Sequence, residues 1–181
     1  LLELAVSHWK KQGLEPVIHA VGWRDGEDSF KPKLHRLVAM IDGLSRKGNT
    51  VSLVGASAGG SAALNAYIER RNAIHRIINV CGRLRVGPKT GFRSFESKSR
   101  SSPSFAESVK LCEVGQERLS DKDRGKIMTV RAMFGDELVP PETATIKGAH
   151  NTKVPIFEHV LSIGMSLTLF SRPLIVFLKN R

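Results

Sequence analysis

The sequence predicts an α/β fold: a mostly parallel central sheet with helices on both faces. Short, continuous apolar runs rich in Val and Ile alternate with longer segments whose apolar residues recur at helical spacing. A continuous apolar run is typical of a strand buried on both faces, as the strands of a parallel sheet are. None of these runs reaches the roughly 20 residues that a membrane-spanning helix needs, so we expect no membrane span.

The chain length and the cysteine content indicate one ordinary domain. Its 181 residues are enough to bury a hydrophobic core, and we expect a single domain over residues 1–181. The first residues already follow a helical pattern without an initiator Met, so we expect a domain that is incomplete at its N-terminus. The lack of a basic signal-peptide region favours a cytoplasmic protein. Because Cys81 and Cys112 provide neither a disulfide framework nor metal-ligand spacing, and no dinucleotide-binding motif occurs, we expect no metal and no cofactor.

The first half of the chain predicts two strands and three helices. Residues 1–12 follow a helical pattern that a glycine closes, and the apolar run at 16–23 predicts a strand. Apolar residues on one helical face predict a helix over 33–47, again followed by glycine. The run TVSLVG at 50–55 predicts the next strand, and the Ala-rich residues 57–71 predict the helix after it.

The second half continues this alternation after one interruption. We predict strands at 75–82, 126–135 and 152–157, a short helix over 140–148, and two closing helices within 160–180, the second starting at Pro173. The interruption is residues 83–120, which begin with a basic, serine-rich stretch and continue in a predicted helix over 105–119. We expect this segment to be an excursion from the sheet or a lid.

Residues 55–59 read GASAG, match the motif G-x-S-x-G, and lie between a predicted strand and a predicted helix. A nucleophile on such a turn has a strained backbone, and we expect side chains at Gly55 and Gly59 to clash where strand and helix approach each other. Ser57 would project from the helix N-terminus, where the amide of Ala58 points at a developing oxyanion. The setting predicts a nucleophile elbow; the alternative is a tight packing turn that contains an idle serine.

A nucleophilic serine needs a base, and the base needs an acid that orients it; both are expected later in the chain, after strand ends. Asp136 directly follows the strand predicted at 126–135 and is the best candidate for the acid. Its carboxylate could instead cap the turn that follows it. Glu137 and Glu142 are weaker candidates, because one is turned the other way and the other lies inside the predicted short helix.

The base must be one of six histidines, four of which lie before the serine or too near it in the chain. His150 precedes the last predicted strand, so its loop is expected at the opposite edge of the sheet. His159 follows that strand and is therefore expected at the carboxyl ends of the strands, where catalytic groups collect in open α/β sheets. The position favours His159, and His150 is the alternative.

These motifs together resemble the α/β-hydrolase family, in particular its small lipases and esterases. The similar segments are VSLVGASAGGSAALNAY, GDELVP and GAHNTKVPIFEHVLSI, and the resemblance covers nearly the whole chain. It implies an α/β-hydrolase fold and a serine esterase that forms an acyl-enzyme on Ser57, with Asp136 and His159 completing a catalytic triad. It also implies that the family's N-terminal strands, one of which supplies a second oxyanion donor, are missing from this sequence.

Several functions stay open within and beside this resemblance. A thioesterase or an acyltransferase would use the same residues as an esterase. A non-catalytic binding protein with the same fold is favoured by the missing oxyanion strand and by the basic stretch after residue 83. A third alternative is a basic module that binds a membrane surface or a polyanion. The chain also departs from the family pattern in carrying Ala56 where many members have His, and Glu158 where Gly usually precedes the catalytic histidine.

The formal net charge of +11 is the unusual bulk property of the chain. The basic residues are spread along the whole sequence, and no basic helix is interleaved with aromatic residues, which argues against a nucleic-acid partner. The charge instead favours a solvated surface. We expect a small-molecule ester as substrate, and the Lys and Arg residues near 83–120 could steer an anionic one.

Overall fold

The computed structural model describes residues 2–88 and 94–180, without the side chains of residues 97 and 98. Its centre is a parallel four-stranded sheet with the strand order β1-β2-β3-β4. The strands are β1 (Val51–Ala56), β2 (Ile74–Val80), β3 (Ile127–Ala132) and β4 (His150–Val154). The predicted parallel sheet is confirmed, and each strand lies beside its neighbour in sequence.

Helices cover both faces of this sheet, as predicted. They are α1 (Leu2–Val6), α2 (Lys31–Arg46), α3 (Gly59–Glu69), α4 (Phe95–Ser99), α5 (Pro103–Gln116), α6 (Asp121–Arg124), α7 (His159–Leu167) and α8 (Arg172–Lys179), with 3-10 turns at Ser7–Gln12 and Pro141–Thr143. One hydrophobic cluster joins α2 and α3 to the sheet, and a second joins α1, α7 and α8 to its other face.

The alternation of side chains along β2 shows how one strand serves both clusters. Ile77 is buried in the cluster of α2 and α3, whereas the next residue, Ile78, is buried in the cluster of α7 and α8. Successive side chains of a strand point to opposite faces, so a strand covered on both sides is apolar at most positions. This is why β1, β2 and β3 appear in the sequence as largely apolar runs, whereas β4, at the edge of the described sheet, is polar at residues 150–153.

The strand predicted at 16–23 is wrong. These residues form no strand, and β1 pairs only with β2 within the part of the chain that the structure describes. Val17 and Ile18 are 56% and 44% exposed, so the apolar run is not buried. A strand needs a partner for its backbone N–H and C=O groups, and the segment has none here. Its end is held instead by buried Lys33, whose Nζ donates to the Gly22 carbonyl at 2.7 Å.

Several other elements differ from the predictions. The short helix predicted over 140–148 is only the 3-10 turn Pro141–Thr143, and the strand predicted at 126–135 ends at Ala132. The last strand begins at His150 and ends at Val154, earlier than predicted, so His150 is a strand residue and not part of a preceding loop. The helix predicted over 105–119 begins at Pro103, because the Ser102 side chain accepts a hydrogen bond from the Phe105 N–H and caps it. The predicted excursion at 83–120 contains α4 and α5, and its residues 89–93 lie outside the described residues.

Within the described ranges, no single helix is both long and apolar enough to cross a bilayer. The pair α7 and α8 meets those requirements of length and composition only when taken together, and the two helices are bent by 57°.

Candidate active site

Ser57 lies on the tight turn between β1 and α3. Its φ angle is +51°, a left-handed conformation that costs a non-glycine residue free energy, and its N–H donates to the Val80 carbonyl of β2 at 2.9 Å. A Cβ atom on Gly55 would lie 2.6 Å from the Gly59 carbonyl oxygen and 2.7 Å from the Cα atom of Gly60. This backbone angle and these close contacts agree with the strain expected at the serine and with the steric need for glycine at position 55.

The same steric expectation is wrong for Gly59. A Cβ atom there would meet no heavy atom within 4 Å. The close approaches fall on Gly60 and Gly82, where an added Cβ atom would overlap the Oδ1 atom of Asn79. Of the glycines that allow α3 to lie close to the sheet, Gly55 belongs to the motif, whereas Gly60 and Gly82 do not.

Asn79 supports the turn at Ser57, although no motif in the sequence includes it. It is 2% exposed on β2, and its Nδ2 donates to the Gly82 carbonyl at 2.9 Å and to the Ala144 carbonyl at 3.1 Å. These bonds tie the end of β2, directly beneath the turn at Ser57, to the segment that follows Asp136. The available signal was a lone polar residue inside the apolar run IINV, where burial requires hydrogen-bond partners.

The structure brings Ser57, His159 and Asp136 together. The Ser57 Oγ lies 2.7 Å from His159 Nε2, and His159 Nδ1 lies 2.8 Å from Asp136 Oδ2. His159 and Asp136 are 2% and 5% exposed. An ionised carboxylate can only accept, so Nδ1 carries the proton of the neutral ring and Nε2 is left to accept from the serine hydroxyl. The geometry therefore sets the tautomer that a general base requires.

The second oxygen of Asp136 is held by the backbone. Its Oδ1 accepts from the N–H groups of Leu138 at 2.9 Å and Val139 at 2.8 Å, so this residue both caps the turn and contacts the histidine. Burial by itself raises the pKa of Asp136. The hydrogen bond from His159 and the two backbone N–H groups outweigh that effect, and the pKa lies below its ordinary value.

We expect Asp136→Asn to be less stable than the wild type near neutral pH and equally stable in acid. Because the folded-state pKa of Asp136 is lowered, its charge stabilises the fold above about pH 4 and ceases to do so as the pH falls through that lowered pKa. Losing the charge-assisted bonds should lower Tm by roughly 3–12 °C at pH 7. Thermal unfolding of both proteins over a pH series measures this, and a gap that persists undiminished in acid would contradict it.

Two glutamates position the histidine without touching its ring. The Glu137 carboxylate accepts from the backbone N–H of His159 at 3.1 Å, so the weaker candidate acid orients the main chain. Glu158 has a φ of +80°, and its side chain caps α7 by accepting from the N–H groups of Val160 and Leu161. The Leu161 and Val160 bonds lower the pKa of Glu158. A left-handed backbone at this position suits glycine best, which gives a physical reason for the glycine that the family resemblance implies.

His150 and Glu142 are not part of this cluster. His150 is the first residue of β4, and its ring lies 5.1 Å from the Phe177 ring of α8. Glu142 lies in the 3-10 turn after Asp136, and its side chain is exposed. Of the two histidines that the sequence left as alternatives, the structure brings only His159 to the serine.

A cavity of about 290 Å³ opens beside Ser57. The residues that line it come from the serine turn, the segment after β2, the Asp136 loop, the start of α7, the N-terminal end of α5 and the segment near Trp23: Trp23, Arg24, Ser57, Ala58, Arg83, Ser101, Ser102, Phe105, Leu138, Val139 and His159. The Trp23 ring meets that of Phe105 edge-on at 5.5 Å, and Ser102 Oγ donates to the Trp23 carbonyl at 2.7 Å. These contacts connect the segment near Trp23 to the start of α5 at the cavity, although the two segments lie far apart in the sequence.

The helix α3 directs its N-terminus at the serine. Ala58 is the N-cap residue, so its N–H belongs to the first turn, whose donors have no acceptor within the helix. This is the position that the sequence predicted for an oxyanion donor. No group of three or more His, Cys, Asp or Glu side chains that could hold a metal ion occurs among the described residues.

Neither a scan of family models nor a search of curated proteins finds a match to this chain. Solved structures do match. The monoacylglycerol lipase of Paleococcus ferrophilus is 15% identical, with a TM-score of 0.56 over 84% of this chain and 76% of that protein. A Bacillus licheniformis lipase in its mature form is 18% identical, with a TM-score of 0.56 over 82% and 75% of the two chains. A metagenome-derived lipolytic enzyme is 13% identical, with a TM-score of 0.51 over 84% and 74%.

Identities this low show the fold alone. The shared architecture is the all-parallel sheet with helices on both faces, over more than four fifths of this chain. The chain therefore has the α/β-hydrolase fold.

Proposed function

We propose that this protein is a serine hydrolase that cleaves carboxylic esters or thioesters. The observation that carries the proposal is the continuous hydrogen-bond chain from the Ser57 hydroxyl through His159 to the buried Asp136 carboxylate, at the wall of a cavity. Lipases and esterases among the structural matches support ester bonds as the target.

The first half of the reaction forms an acyl-enzyme. His159 Nε2 takes the proton of the Ser57 hydroxyl as Oγ attacks the carbonyl carbon of the ester. The carbonyl oxygen becomes an oxyanion that the Ala58 N–H stabilises at the positive end of α3. The tetrahedral intermediate then collapses, and the leaving alcohol or thiol departs with the proton that His159 held. Asp136 keeps the ring oriented and stabilises its positive charge.

The second half returns the enzyme to its starting state. Water gives a proton to His159 Nε2 and attacks the acyl carbon, and the resulting intermediate releases the acid as Ser57 regains its proton. An acyltransferase would replace this water with another hydroxyl or thiol. The roles of the protein groups would be the same.

Labelling with a fluorophosphonate probe, read by intact mass, tests the nucleophile. We expect one adduct on the wild-type protein and none on Ser57→Ala. Ser52→Ala is the matched control, because Ser52 lies on β1, the strand that precedes Ser57, but does not line the cavity, and it should label like the wild type. A folded wild-type protein that binds esters but forms no adduct would favour the non-catalytic binding protein instead.

The cavity also supports a negatively charged substrate. Arg24 and Arg83 line it, and no Asp or Glu is found among the described residues that do so. Arg83 is buried, its Nη2 donates to the Val86 carbonyl, and its guanidinium lies over the Phe95 ring, so it shapes the wall. Arg24 is exposed at the mouth and is the residue that we propose to attract the substrate.

We expect Arg24→Gln to raise KM for an ester that bears a carboxylate while leaving KM for a neutral ester of the same size unchanged. Loss of one partly exposed charge contact corresponds to about a two- to fivefold change. Steady-state kinetics with a matched pair of nitrophenyl esters measure it. Equal effects on both esters would show that Arg24 acts on shape and not on charge.

We further propose that residues 83–120 form a lid of a single domain that spans residues 1–181. Ser101, Ser102 and Phe105 of this segment line the cavity, and Ser102 is bonded to the Trp23 carbonyl across its mouth. Opening would require breaking that bond and the contact between the two aromatic rings.

A further inference from the structure

A second concave site, which we call the basic cavity, lies at the β3–β4 edge of the sheet. Its volume is about 300 Å³. It is lined by Arg85, Arg131, Thr145, Ile146, Lys147, Asn151, Thr152 and Lys153. None of these residues lines the cavity at Ser57, so the two sites are separate.

Two of its cations are placed side by side by the strand register. Arg131 of β3 is the register partner of Lys153 of β4, so both side chains lie on the same face of the sheet. Their strand neighbours Val130 and Val154 are buried in the opposite hydrophobic cluster, which fixes the direction of the two cations. Like charges opposite each other on adjacent strands destabilise a sheet. The register therefore places the positive charges of Arg131 and Lys153 close together, and a bound anion would reduce the repulsion between them.

Arg85 and Lys147 add two further positive charges to the basic cavity. Arg85 donates from Nη2 to the backbone carbonyls of Glu142 and Thr145, while its Nε is buried and has no hydrogen-bond partner among the described residues. Lys147 is exposed at the rim. The ion pairs within the described part of the chain all involve other basic side chains, so none of these four cations forms an ion pair there.

The floor of the basic cavity is held rigid by Asn151. Its Oδ1 accepts from Thr129 Oγ1 at 2.7 Å and from the Ile146 N–H at 3.2 Å, and its Nδ2 donates to the Ile146 carbonyl at 2.8 Å. The segment at 145–147 is thereby fastened to β4. The backbone that carries these cations is thus held in place before a ligand binds, which lowers the entropy cost of binding.

We propose that the basic cavity binds a phosphate group, either as a free phosphate-bearing solute or as a lipid headgroup. A carboxylate brings one charge, whereas a phosphate brings up to two and has several acceptor oxygens for donors that converge from different directions. Arginine is suited to that geometry because its planar guanidinium offers several N–H donors. Adjacent cations that form no ion pair with a carboxylate favour a phosphate over a carboxylate ligand, because the phosphate carries more negative charge.

Inorganic phosphate is the probe that tests this proposal. Its dissociation constant is measured from the rise in Tm during titration, with sodium chloride used to hold the ionic strength constant. We expect a saturable rise for the wild-type protein and a dissociation constant that is at least about tenfold weaker for the double variant Arg131→Gln, Lys153→Gln. Without phosphate and at low ionic strength, the double variant should be at least as stable as the wild type, because the repulsion is gone.

Lys110→Gln is the matched control, because it removes one exposed positive charge from α5, outside the basic cavity. It should bind phosphate like the wild type, and so should Ser57→Ala, which separates this proposal from the proposed hydrolase activity. Absence of saturable binding would overturn the proposal, and so would an equal response from the double variant.

The source of the phosphate group is then resolved with vesicles. Sedimentation with phosphatidylcholine vesicles that contain phosphatidic acid, compared with phosphatidylcholine alone, identifies a lipid headgroup if binding requires phosphatidic acid and is lost in the double variant. Saturable binding of free phosphate without vesicle binding identifies a soluble ligand.

Discussion

His159→Ala is expected to reduce the kcat of ester hydrolysis by about 10⁶-fold, close to the loss for Ser57→Ala, since residues of such a hydrogen-bonded unit act together. Without the imidazole, no group among the described residues lies within hydrogen-bond distance of the Ser57 Oγ to accept its proton. The variant also leaves Oδ2 of the buried Asp136 carboxylate without its hydrogen-bond donor, so we expect a lower Tm. Kinetics with a nitrophenyl ester, measured well below the Tm of the variant, test the effect on the reaction.

His150→Ala is the matched control for this substitution. His150 was the alternative base in the sequence, but it lies at the start of β4 against Phe177 and should leave kcat unchanged. His159→Gln provides a second inactive variant with a side chain of nearer size. Substantial activity in both His159 variants would contradict the proposed mechanism, and a large loss in His150→Ala would return that residue to consideration.

Gly55→Ala is expected to destabilise the fold by about 3 kcal/mol, which for a domain of this size lowers Tm by about 6–12 °C. The new Cβ atom would lie 2.6 Å from the Gly59 carbonyl oxygen and 2.7 Å from the Gly60 Cα atom. Both are backbone atoms at the start of α3, so neither can rotate away as a side-chain end could. The helix must shift from β1, and the Ser57 turn with it.

Gly59→Ala is the control from the same motif. The added methyl group meets nothing within 4 Å, and alanine is the better helix former by up to about 1 kcal/mol. We therefore expect a Tm equal to or slightly above that of the wild type. Chemical and thermal unfolding measure the stability of both variants. Similar losses of stability in the two would show that Gly55 and Gly59 are equally constrained, contrary to this prediction.

Much of the fold could be predicted because the relevant signals are local. A strand buried on both faces is apolar at most positions, so the runs that became β1, β2 and β3 were visible in the sequence. The chain positions of Asp136 and His159 after strand ends also predicted that they would gather at one edge, and the structure brings both to Ser57. Their catalytic roles stay predictions until the variants are measured.

The errors arose where the outcome depends on a partner elsewhere in the chain. Residues 16–23 are as apolar as a strand, but strand formation requires a neighbour with free backbone groups. Gly59 looks as constrained as Gly55, but steric constraint depends on what lies across the helix–sheet contact. In this fold that contact is made by Asn79 against Gly60, and no spacing within the motif shows it.

The sequence by itself determined the parallel sheet, the alternation of strands and helices, and the serine turn, because each depends on periodicity over a few neighbouring residues. Only the tertiary structure decided which histidine meets the serine, which glycines are crowded, and that Arg131 and Lys153 face the same cavity. The physical reason is that hydrogen bonds, steric overlap and charge repulsion act over distances of a few ångströms in space. Residues separated by a hundred positions in the chain, such as Ser57 and His159, come that close only after folding.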